Sequence, residues 1–599
     1  MPSTPRVNFN FINNNVEESS PLQGISMVLA RTVKGPALDP SQLITSISQF
    51  KRVYGSEIVP DGSVSNIERA LIGGSKLRII RVMGAGSKQG SVGNLFTVQI
   101  GDKSASVKLI TRGFGDPIGT GETFTVTTKK QGNTLYYTVL DANQSILESG
   151  PIFSYLSAND TNLTSIDYLA LSSWINTNPY FKVLIDTEYD DLKSVEKFLT
   201  WLAENDGTKN TVVVTPTASL EGSIGSVGGV PIVDDWQAAA EYIRDYTDAY
   251  NILASHATLH LGNSKAIELY KTLKEMCDEL NEYRLFIEIP KYQNEGPLNN
   301  GEEVVEGGNS KPTVYDDSGD GNENNGDSVE DGEGGETVQA DGEATGAVPM
   351  DVDQMINWKK TCSDTIGHSK WVSYYGAGLM YNNNFGIAQG SDVGGTVLGL
   401  ADTSATNYGY HKSFAGLNRG IATDAQGTVS PNYGSPGRID QLERLAQECI
   451  NLFVVRDTPS FGKRTLLWHN FTDQVKQDSF RFLGNTGLVL NIKKTLRPIL
   501  ESYIEEPNIW GTWHDIYLRV RPLIDSWVDS EAMTDPKWDG DQDANSWDDL
   551  KVNTEADCRQ GRYHVVFSFK DIVALQDITL DVVIEKASKS VEIDVIDNS

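Results

Sequence analysis

The chain has 599 residues and a formal net charge of -31 at pH 7, and 39% of its residues are hydrophobic. This length is too great for one hydrophobic core and predicts several domains. The negative charge argues against nucleic acid or an anionic membrane as the main partner, because both are bound through basic surfaces.

Neither secretion nor membrane insertion is predicted. The N-terminal residues lack a basic segment followed by an apolar one, so no signal peptide is expected. No apolar run approaches the roughly 20 residues that span a bilayer. The cysteines have no CxxC spacing, which predicts reduced thiols in a protein made in the cytosol. They are Cys277, Cys362, Cys449 and Cys558.

Both ends of the chain show the alternation of apolar and polar residues that predicts a β-strand. We assign residues 1–22 to an N-terminal arm and residues 586–599 to a C-terminal arm. The apolar positions are Val7, Phe9 and Phe11 in the first arm and Val591, Ile593 and Val595 in the second. A lone strand is not stable. The arms are therefore either frayed ends or strands that pair with a neighbouring subunit.

Residues 23–91 predict a first piece of a globular core, in which Ser46 caps a short helix bearing Phe50 and Tyr54. Residues 92–165 then shift to alternating strands separated by glycine-rich turns, which predicts an inserted all-β, sandwich-like domain. The insert is either a structural addition or a carbohydrate- or host-binding module. The absence of clustered aromatic residues favours the first interpretation.

Residues 166–293 alternate predicted strands with predicted helices. The strands are expected at 182–185, 211–214, 252–254 and 285–289. This order predicts a middle α/β domain with a mostly parallel sheet and covering helices. We assign residues 353–440 to a second part of this domain. Its glycine-rich segment lacks the GxxxxGK[ST] pattern, so no phosphate-binding loop is predicted.

Residues 294–352 predict an acidic, flexible linker. The segment is rich in Gly, Asn and carboxylates and has almost no residue that could build a core. Calcium binding is a weak alternative. The window 316–327 places oxygen ligands at alternate positions but lacks the closing Glu of a calcium loop. Asp539, Asp541 and Asp543 also alternate, without the Gly and Glu that the motif requires.

Residues 441–585 predict a C-terminal core domain. A helix, two short strands and a second, longer helix follow one another between residues 439 and 503. The polar side of the second helix carries three cations: Lys493, Lys494 and Arg497. They form either a solvated face or a surface complementary to an acidic partner.

No catalytic group and no cofactor site is predicted. The chain has no GxSxG elbow. His256 and His260 lie four residues apart, which on a helix could place two imidazoles beside one zinc ion. No Glu lies between them, and the preceding residues predict a strand, so a metal site is not expected. The many scattered Asp and Glu residues leave glycan hydrolysis open.

Four stretches of the chain together resemble contractile tail sheath proteins. One is INLFVVR…FGKRTLLW (450–468), followed by the basic helix and by EPN with Trp513 five residues after its Asn. A second is the opening order of strand, KGP turn, QF…YG, small helix and RIIRV. A third pairs WQAAAEYIRDYTDAYNILA with EMCDELNEYRLFIEIP. The fourth is residues 393–420, whose loop YHKSFAG departs from the family by lacking a proline near Phe414. Pro498 is a further departure.

The resemblance implies a fold class that is mixed α/β and α+β, and multidomain. It comprises a sheath core of mixed sheets with covering helices, the inserted all-β domain and extended N- and C-terminal strand arms. In this family the terminal arms exchange strands between subunits. The helix that corresponds to the one with Lys493, Lys494 and Arg497 faces the inner tail tube, which makes these cations the expected tube contact.

The implied function is that of a structural subunit and not of an enzyme. Subunits would stack as six-fold rings around the inner tail tube and contract to drive the tube through the host envelope for genome ejection. The implied partners are further copies of the chain, the tube protein, and baseplate and neck or terminator proteins. Neither direct nucleic-acid contact nor membrane insertion is implied.

The implied location is the virion tail of a bacteriophage, assembled in the host cytoplasm. One alternative within the same class is a secretion-system or bacteriocin sheath subunit. The alternative from a different class is a β-module tail protein that binds or hydrolyses glycans.

Overall fold

The computed structural model describes residues 24–572 with gaps. The gaps are residues 39, 60–62, 115–123, 141–143, 160–161, 178–180, 206–211, 223–225, 227, 294–347, 377, 383–387, 459–461 and 477. Both predicted arms, with all six of their alternating apolar residues, therefore lie outside the described residues, as does most of the predicted acidic linker.

The described residues form 22 strands and 13 α-helices. The strands are β1 (Ile25–Ala30), β2 (Leu43–Ile44), β3 (Lys76–Arg81), β4 (Gln89–Ile100), β5 (Lys103–Phe114), β6 (Phe124–Gln131), β7 (Thr134–Leu140), β8 (Ile146–Asn159), β9 (Asn162–Ile166), β10 (Phe181–Asp186), β11 (Val212–Pro216), β12 (Ser219–Gly222), β13 (Asn251–Ala254), β14 (Arg284–Glu288), β15 (Val372–Gly376), β16 (Leu379–Asn382), β17 (Ala388–Ser391), β18 (Ala425–Thr428), β19 (Ile450–Thr458), β20 (Gly462–Leu467), β21 (Thr534–Asp539) and β22 (Val566–Lys570). The helices are α1 (Ile47–Tyr54), α2 (Asn66–Ile72), α3 (Tyr168–Thr177), α4 (Val195–Glu204), α5 (Val233–Ala240), α6 (Ala257–Leu261), α7 (Asn263–Leu280), α8 (Val352–Ile366), α9 (Gly394–Tyr408), α10 (Ile439–Gln447), α11 (Leu483–Glu501), α12 (Trp510–Asp529) and α13 (Glu555–Arg559).

An eight-stranded sheet in the order β2-β3-β1-β13-β14-β15-β19-β20 forms the centre of the molecule. The six inner strands run parallel, and β2 and β20 add antiparallel edges. Strand β1 is buried along its whole length, as is typical of a parallel strand covered on both faces. Met27 and Leu29 face the cluster built by α5, α7, α8 and α10. Val28 and Ala30 face the cluster built by α1, α2 and α9.

A second sheet of nine strands, β4 to β12, forms the insert, and every strand pairing in it is antiparallel. Two strands predicted for the parallel sheet belong here instead: β10 pairs with β5, and β11 with β4. The predicted boundary at residue 165 is therefore wrong, because the insert continues to β12. The sequence did contain a signal, because apolar residues occupy every second position of β10, at Phe181, Val183 and Ile185. The structure buries these three and exposes the residues between them, as is typical of a strand with one solvated face.

The insert is also not purely β. Helices α3 and α4 pack on its apolar core through Leu171, Trp174, Phe198 and Leu202. Its connections to the rest of the chain lie side by side, because Lys88 and Ser226 exchange backbone hydrogen bonds of 3.0 and 2.8 Å. The insert thus leaves and re-enters the central domain at one place.

Several predicted elements are confirmed. Ser46 accepts a hydrogen bond from the Gln49 amide at the start of α1, and Phe50 and Tyr54 are buried. The predicted helix–strand–strand–helix order appears as α10, β19, β20 and α11. Pro498 lies inside the last turn of α11 and does not end it. The mixed α/β and α+β multidomain class is confirmed.

The predicted linker ends earlier than expected. Residues 348–352 are described, and Asp351 and Gln354 cap the start of α8 reciprocally, each side chain accepting a hydrogen bond of 2.9 Å from the other's amide. Pro349 also forms a β-bridge with Tyr292, so the described residues on either side of the undescribed segment 294–347 lie close together.

The C-terminal residues form a small cluster of their own. Helices α11 and α12 pack against the two-stranded sheet β21–β22, and Trp527 and Trp538 lie at the centre of the contact. Helix α11 belongs to both parts of the molecule, because Val489 and Leu490 contact the central cluster while Leu488 and Ile492 contact the C-terminal one.

Candidate functional site

The predicted tube-facing cations surround one buried carboxylate. Glu282 lies in the short turn between α7 and β14. Lys493 Nζ lies 2.8 Å from Glu282 Oε1, and Lys494 Nζ lies 3.3 Å from Oε2. Arg497 also forms an ion pair with Glu282 Oε1. The three cations therefore hold α11 against the end of α7.

The two lysines also bind backbone carbonyls. Lys493 Nζ donates to the Leu280 and Asn281 carbonyls at 2.7 and 3.2 Å, where α7 ends. Lys494 Nζ donates to the Thr247 carbonyl. Cations at the C-terminal end of a helix are favoured by its dipole. The cluster is thus a clamp between α11 and the central domain.

Burial and the neighbouring opposite charges together determine the protonation states of Glu282 and Lys494 in this clamp. Burial opposes the charge on Glu282, but Lys494, Lys493 and Arg497 outweigh it and lower the pKa of the carboxyl. Burial lowers the pKa of Lys494 to about 8, against the opposing effect of Glu282. At neutral pH the cluster is therefore an ionised one.

The expectation that these cations line an exposed polar face is wrong for the two lysines. Lys493 is 6% exposed and Lys494 is 5% exposed. Helical periodicity placed them opposite the apolar stripe, but α11 is covered on both sides. The side chain of Arg497 is 22% exposed and is the one member of the three that reaches the surface.

A second buried charge cluster lies where β13 and β14 end. His256 Nδ1 lies 2.6 Å from Asp392 Oδ2, and Lys291 Nζ lies 3.0 Å from Asp392 Oδ1. His256 has a left-handed backbone with φ of 51°. Burial opposes a charged imidazole, but the Asp392 carboxylate outweighs it and raises the pKa of His256 to about 9.

Glu288 extends this cluster to the start of α9. Its carboxylate accepts hydrogen bonds from Gly394 N at 2.6 Å and Asn66 Nδ2 at 2.9 Å. Asn66 Oδ1 in turn accepts from Gly395 N at 3.0 Å. Burial, with the Asp392 charge, raises the pKa of Glu288. Chain pieces near residues 66, 288 and 392 are therefore joined through polar side chains inside the core.

The pair of histidines considered for zinc does not converge on a metal-binding set. His260 is buried, and burial lowers its pKa to about 3. Its Nε2 and that of His256 have no hydrogen-bond partner. Among the described residues, no group of three or more His, Cys, Asp or Glu side chains is arranged to hold a metal ion.

The alternating aspartates near residue 540 have different roles. Asp541 accepts backbone hydrogen bonds from Lys551, Val552 and Asn553, at 2.7 to 3.2 Å. These contacts lower the pKa of Asp541 although burial opposes them. The carboxylate closes a loop through N–H donors rather than lying beside Asp539 and Asp543 as a ligand set.

The sequence contained signals for the residues that were missed. Glu288 is the last residue of strand β14, directly after the apolar run Leu285 to Ile287, and Asp402 lies within the small-residue helix α9. Asp402 is buried, where it accepts from Ser26 Oγ at 2.8 Å and Asn251 Nδ2 at 3.0 Å. A carboxylate inside an apolar element requires buried partners. Those partners come from distant parts of the chain, which periodicity does not identify.

In the described part of the chain, no helix combines the length and apolar character needed to cross a membrane.

Strand β22, the last strand of the described residues, pairs with β21 along one edge. No strand within the described residues pairs with its other edge. The side chains of β22 alternate between exposed and half-buried positions.

Of the comparisons with known proteins, only the comparison with solved structures gives matches. No family model matches the chain, and no curated protein matches it. A sheath tail protein from Listeria innocua is 9% identical, with 92% of this chain and 96% of that chain covered and a TM-score of 0.48. A sheath tail protein from Desulfitobacterium hafniense is 10% identical, with 95% and 100% covered and a TM-score of 0.42. The helical sheath of the anti-feeding prophage in its contracted state is 10% identical, with 97% and 99% covered and a TM-score of 0.45. These solved structures are sheath proteins, the family that the sequence resembles.

Proposed function

We propose that the chain is a structural subunit of a contractile tail sheath and not an enzyme. One observation carries this proposal. The stretches with sheath-like sequence are spread over some five hundred residues, yet they supply six of the eight strands of one sheet. These strands are β3, β1, β13 and β14, which are adjacent, and β19 and β20, which are separated from them by β15 alone. The sheath-like helices α9 and α11 pack on the same sheet. Segments that resemble one family and also assemble into one core are expected of a member of that family.

In the proposed function, subunits stack as six-fold rings around an inner tube and contract to drive the tube through the host envelope. Baseplate and neck or terminator proteins would bind the two ends of the stack. The chain would act in the virion tail after assembly in the host cytoplasm, or as the sheath of a secretion system or bacteriocin. The energy would be stored during assembly, so the mechanism requires no nucleotide.

The arms are proposed to join subunits by strand exchange. The apolar residues of 1–22 and 586–599 alternate as strand residues do, and β22 offers an edge that the described residues leave unpaired. An added strand would supply the missing backbone hydrogen bonds. Contact with the tube is proposed for Arg497 alone of the three cations, because Glu282 and backbone carbonyls hold both lysines inside the subunit.

Electron microscopy of the concentrated, purified protein in negative stain tests the proposal. We expect hollow, striated cylinders, with or without the tube protein as a template. Dispersed particles in the presence of the tube protein would contradict the sheath assignment.

Truncation separates strand exchange from the rest of the proposal. Chains lacking residues 1–16 or 587–599 should remain folded by circular dichroism and fail to form cylinders. Cylinders of normal length from either truncated chain would rule out strand exchange while leaving the sheath assignment intact.

A further inference from the structure

Strand β10 forms one edge of the nine-stranded sheet of the insert. It pairs with β5 on one side, and within the described residues no strand pairs with its other side. An edge of this kind presents a row of backbone N–H and C=O groups on which a further strand can pair. We call this side of the strand, with the side chains that it exposes, the β10 edge.

The exposed face of the β10 edge carries a cation, a leucine and a carboxylate at every second position. These are Lys182, Leu184 and Asp186, while the residues between them are buried. Leu184 is 40% exposed. The Asp186 carboxylate accepts a long hydrogen bond of 3.4 Å from Asn94 Nδ2. This arrangement, with opposite charges placed symmetrically about a leucine, is complementary to its own antiparallel copy.

Antiparallel pairing with a second copy, centred on Leu184, brings each exposed residue opposite a suitable partner. Lys182 then lies opposite Asp186 of the second copy, and Asp186 lies opposite its Lys182. Opposite charges at directly opposed positions stabilise a strand pair, and like charges destabilise it. Parallel, in-register pairing would oppose the two copies of Lys182, and a shift of the antiparallel register by two residues would remove both ion pairs. The charges therefore select one orientation and one register.

The buried face of β10 would continue across the joint between the two copies. Val183 and Ile185 belong to the apolar cluster of the insert. In the register centred on Leu184, Val183 lies opposite Ile185 of the second copy. The apolar clusters of the two inserts would thus become adjacent, which adds apolar burial to the backbone hydrogen bonds.

Strand β5 adds no charge beside the two ion pairs. Its residues next to the charged positions of β10 are Ile110 and Ser106, and its Lys108 lies beside Leu184. The two copies of Lys108 would be three strand spacings apart, or about 14 Å. This separation exceeds the screening length of about 8 Å in physiological salt, so their repulsion is weak.

We propose that the β10 edge binds a second copy of this chain, strand to antiparallel strand, about a two-fold axis at Leu184. A two-fold contact uses the same surface on both copies and therefore closes at a dimer. It is not repeated along a stack in which all subunits point the same way. The contact does not depend on the sheath assignment. In a sheath subunit it would hold the free chain as a dimer that competes with stacking.

Disulfide crosslinking of the full-length chain at the two-fold axis tests the proposal. Directly opposed Cα atoms of antiparallel strands lie about 4.5–5.5 Å apart, within the range that a disulfide spans. Leu184→Cys, oxidised with oxidised glutathione after any cylinders have been removed by centrifugation, should therefore give a covalent dimer on a non-reducing gel. The chain's own cysteines are buried and should not compete.

Leu169→Cys is the matched control, because Leu169 is 68% exposed on α3 of the same insert and lies outside the β10 edge. It should give roughly tenfold less dimer, since its thiols meet only by chance collision. Equal yields from the two variants, or no dimer from Leu184→Cys, would overturn the proposal.

Charge reversal tests the register. In the Leu184→Cys chain, Lys182→Asp opposes two carboxylates at each end of the joint, and Asp186→Lys opposes two ammonium groups, so each should suppress the dimer. The combination restores both ion pairs with their signs exchanged and should recover the dimer. Lys197→Asp, a reversal at an exposed position of α4, should leave the yield unchanged. Circular dichroism checks that each variant is folded. Persistence of the dimer in both single variants, or failure of the combined variant to recover it, would rule out pairing centred on Leu184.

Discussion

The side chains buried against the two large sheets of this molecule differ in kind. The eight-stranded sheet encloses charged side chains, among them Arg284, Glu288, Lys291 and Asp392, each at most 4% exposed. In the insert, the polar residues that the structure describes as buried are Thr111 and Thr128, and both are uncharged. The rest of its interior is one apolar cluster. Its ion pairs Lys103–Asp191 and Lys193–Asp190 lie at the surface.

Chain connectivity explains this difference. The insert is one continuous stretch of chain, so apolar packing is enough to bring its strands together. The central domain gathers elements from distant parts of the chain: β1 to β3, β13 to β15, β19, β20 and part of α11. Buried polar contacts demand specific partners and geometry. We infer that Asp392, Glu288 and Glu282 fix how these separate pieces are assembled.

Asp392→Asn should produce the largest loss of stability. The substitution removes the carboxylate that faces both His256 and Lys291 inside the core. Breaking a buried ion pair by removing one partner costs about 3–5 kcal/mol. Urea unfolding of the central domain, followed by tryptophan fluorescence, measures the effect.

Asp191→Asn is the matched control in the insert. Asp191 is exposed, and its partner Lys103 is half-buried with a side chain that is 41% exposed, so water screens the pair. We expect no measurable change in the urea midpoint. Equal losses in the two variants would contradict the distinction between the two interiors.

Glu282→Gln should be the next most harmful change. It removes the carboxylate that Lys493, Lys494 and Arg497 share, at a cost of about 2 kcal/mol. The cost is smaller than for Asp392 because Arg497 reaches solvent and both lysines keep their hydrogen bonds to backbone carbonyls.

The Glu282→Gln loss should also depend on pH. Burial lowers the pKa of Lys494 to about 8 in the folded protein, while an unfolded lysine titrates near 10.4. Between these values the unfolded chain binds the extra proton, so stability rises as the pH increases. Without Glu282 the pKa of Lys494 falls further, and the loss should be smaller at pH 9 than at pH 7. A loss independent of pH would show that Lys494 does not titrate with folding.

Gly399→Ala tests close packing in the central domain. A Cβ at position 399 of α9 would lie 2.8 Å from the Gly73 Cα, so α9 would have to move away from the end of α2. Such overpacking costs about 1–3 kcal/mol. In the insert, a Cβ at Gly150 would lie 3.7 Å from the Tyr137 ring, an ordinary contact. Gly150→Ala should therefore leave the thermal midpoint unchanged or slightly raised, and a comparable loss there would contradict the prediction.

The sequence predicted local elements well and long-range partners poorly. The cap of α1, the hairpin β19–β20 and the length of α11 followed from periodicity and capping, which act over a few residues. Strand β10 was assigned to the wrong sheet because its neighbours in the chain suggested alternating strands and helices. Lys493 and Lys494 were predicted to be exposed because their partner Glu282 is more than two hundred residues away. No local pattern encodes such a contact.

Removing the insert should have the smallest effect on the central domain. Lys88 and Ser226 already lie side by side, so a turn of roughly two to four residues can replace residues 89–225. Because the apolar cluster of the insert contains no residue of the central clusters, the shortened chain should unfold within about 3 °C of the parent's central transition. Residues 88–226 expressed alone should fold, with a cooperative thermal transition by circular dichroism. If the shortened chain failed to fold while the isolated insert folded, the central domain would depend on contacts from the insert, and the two interiors would not be independent.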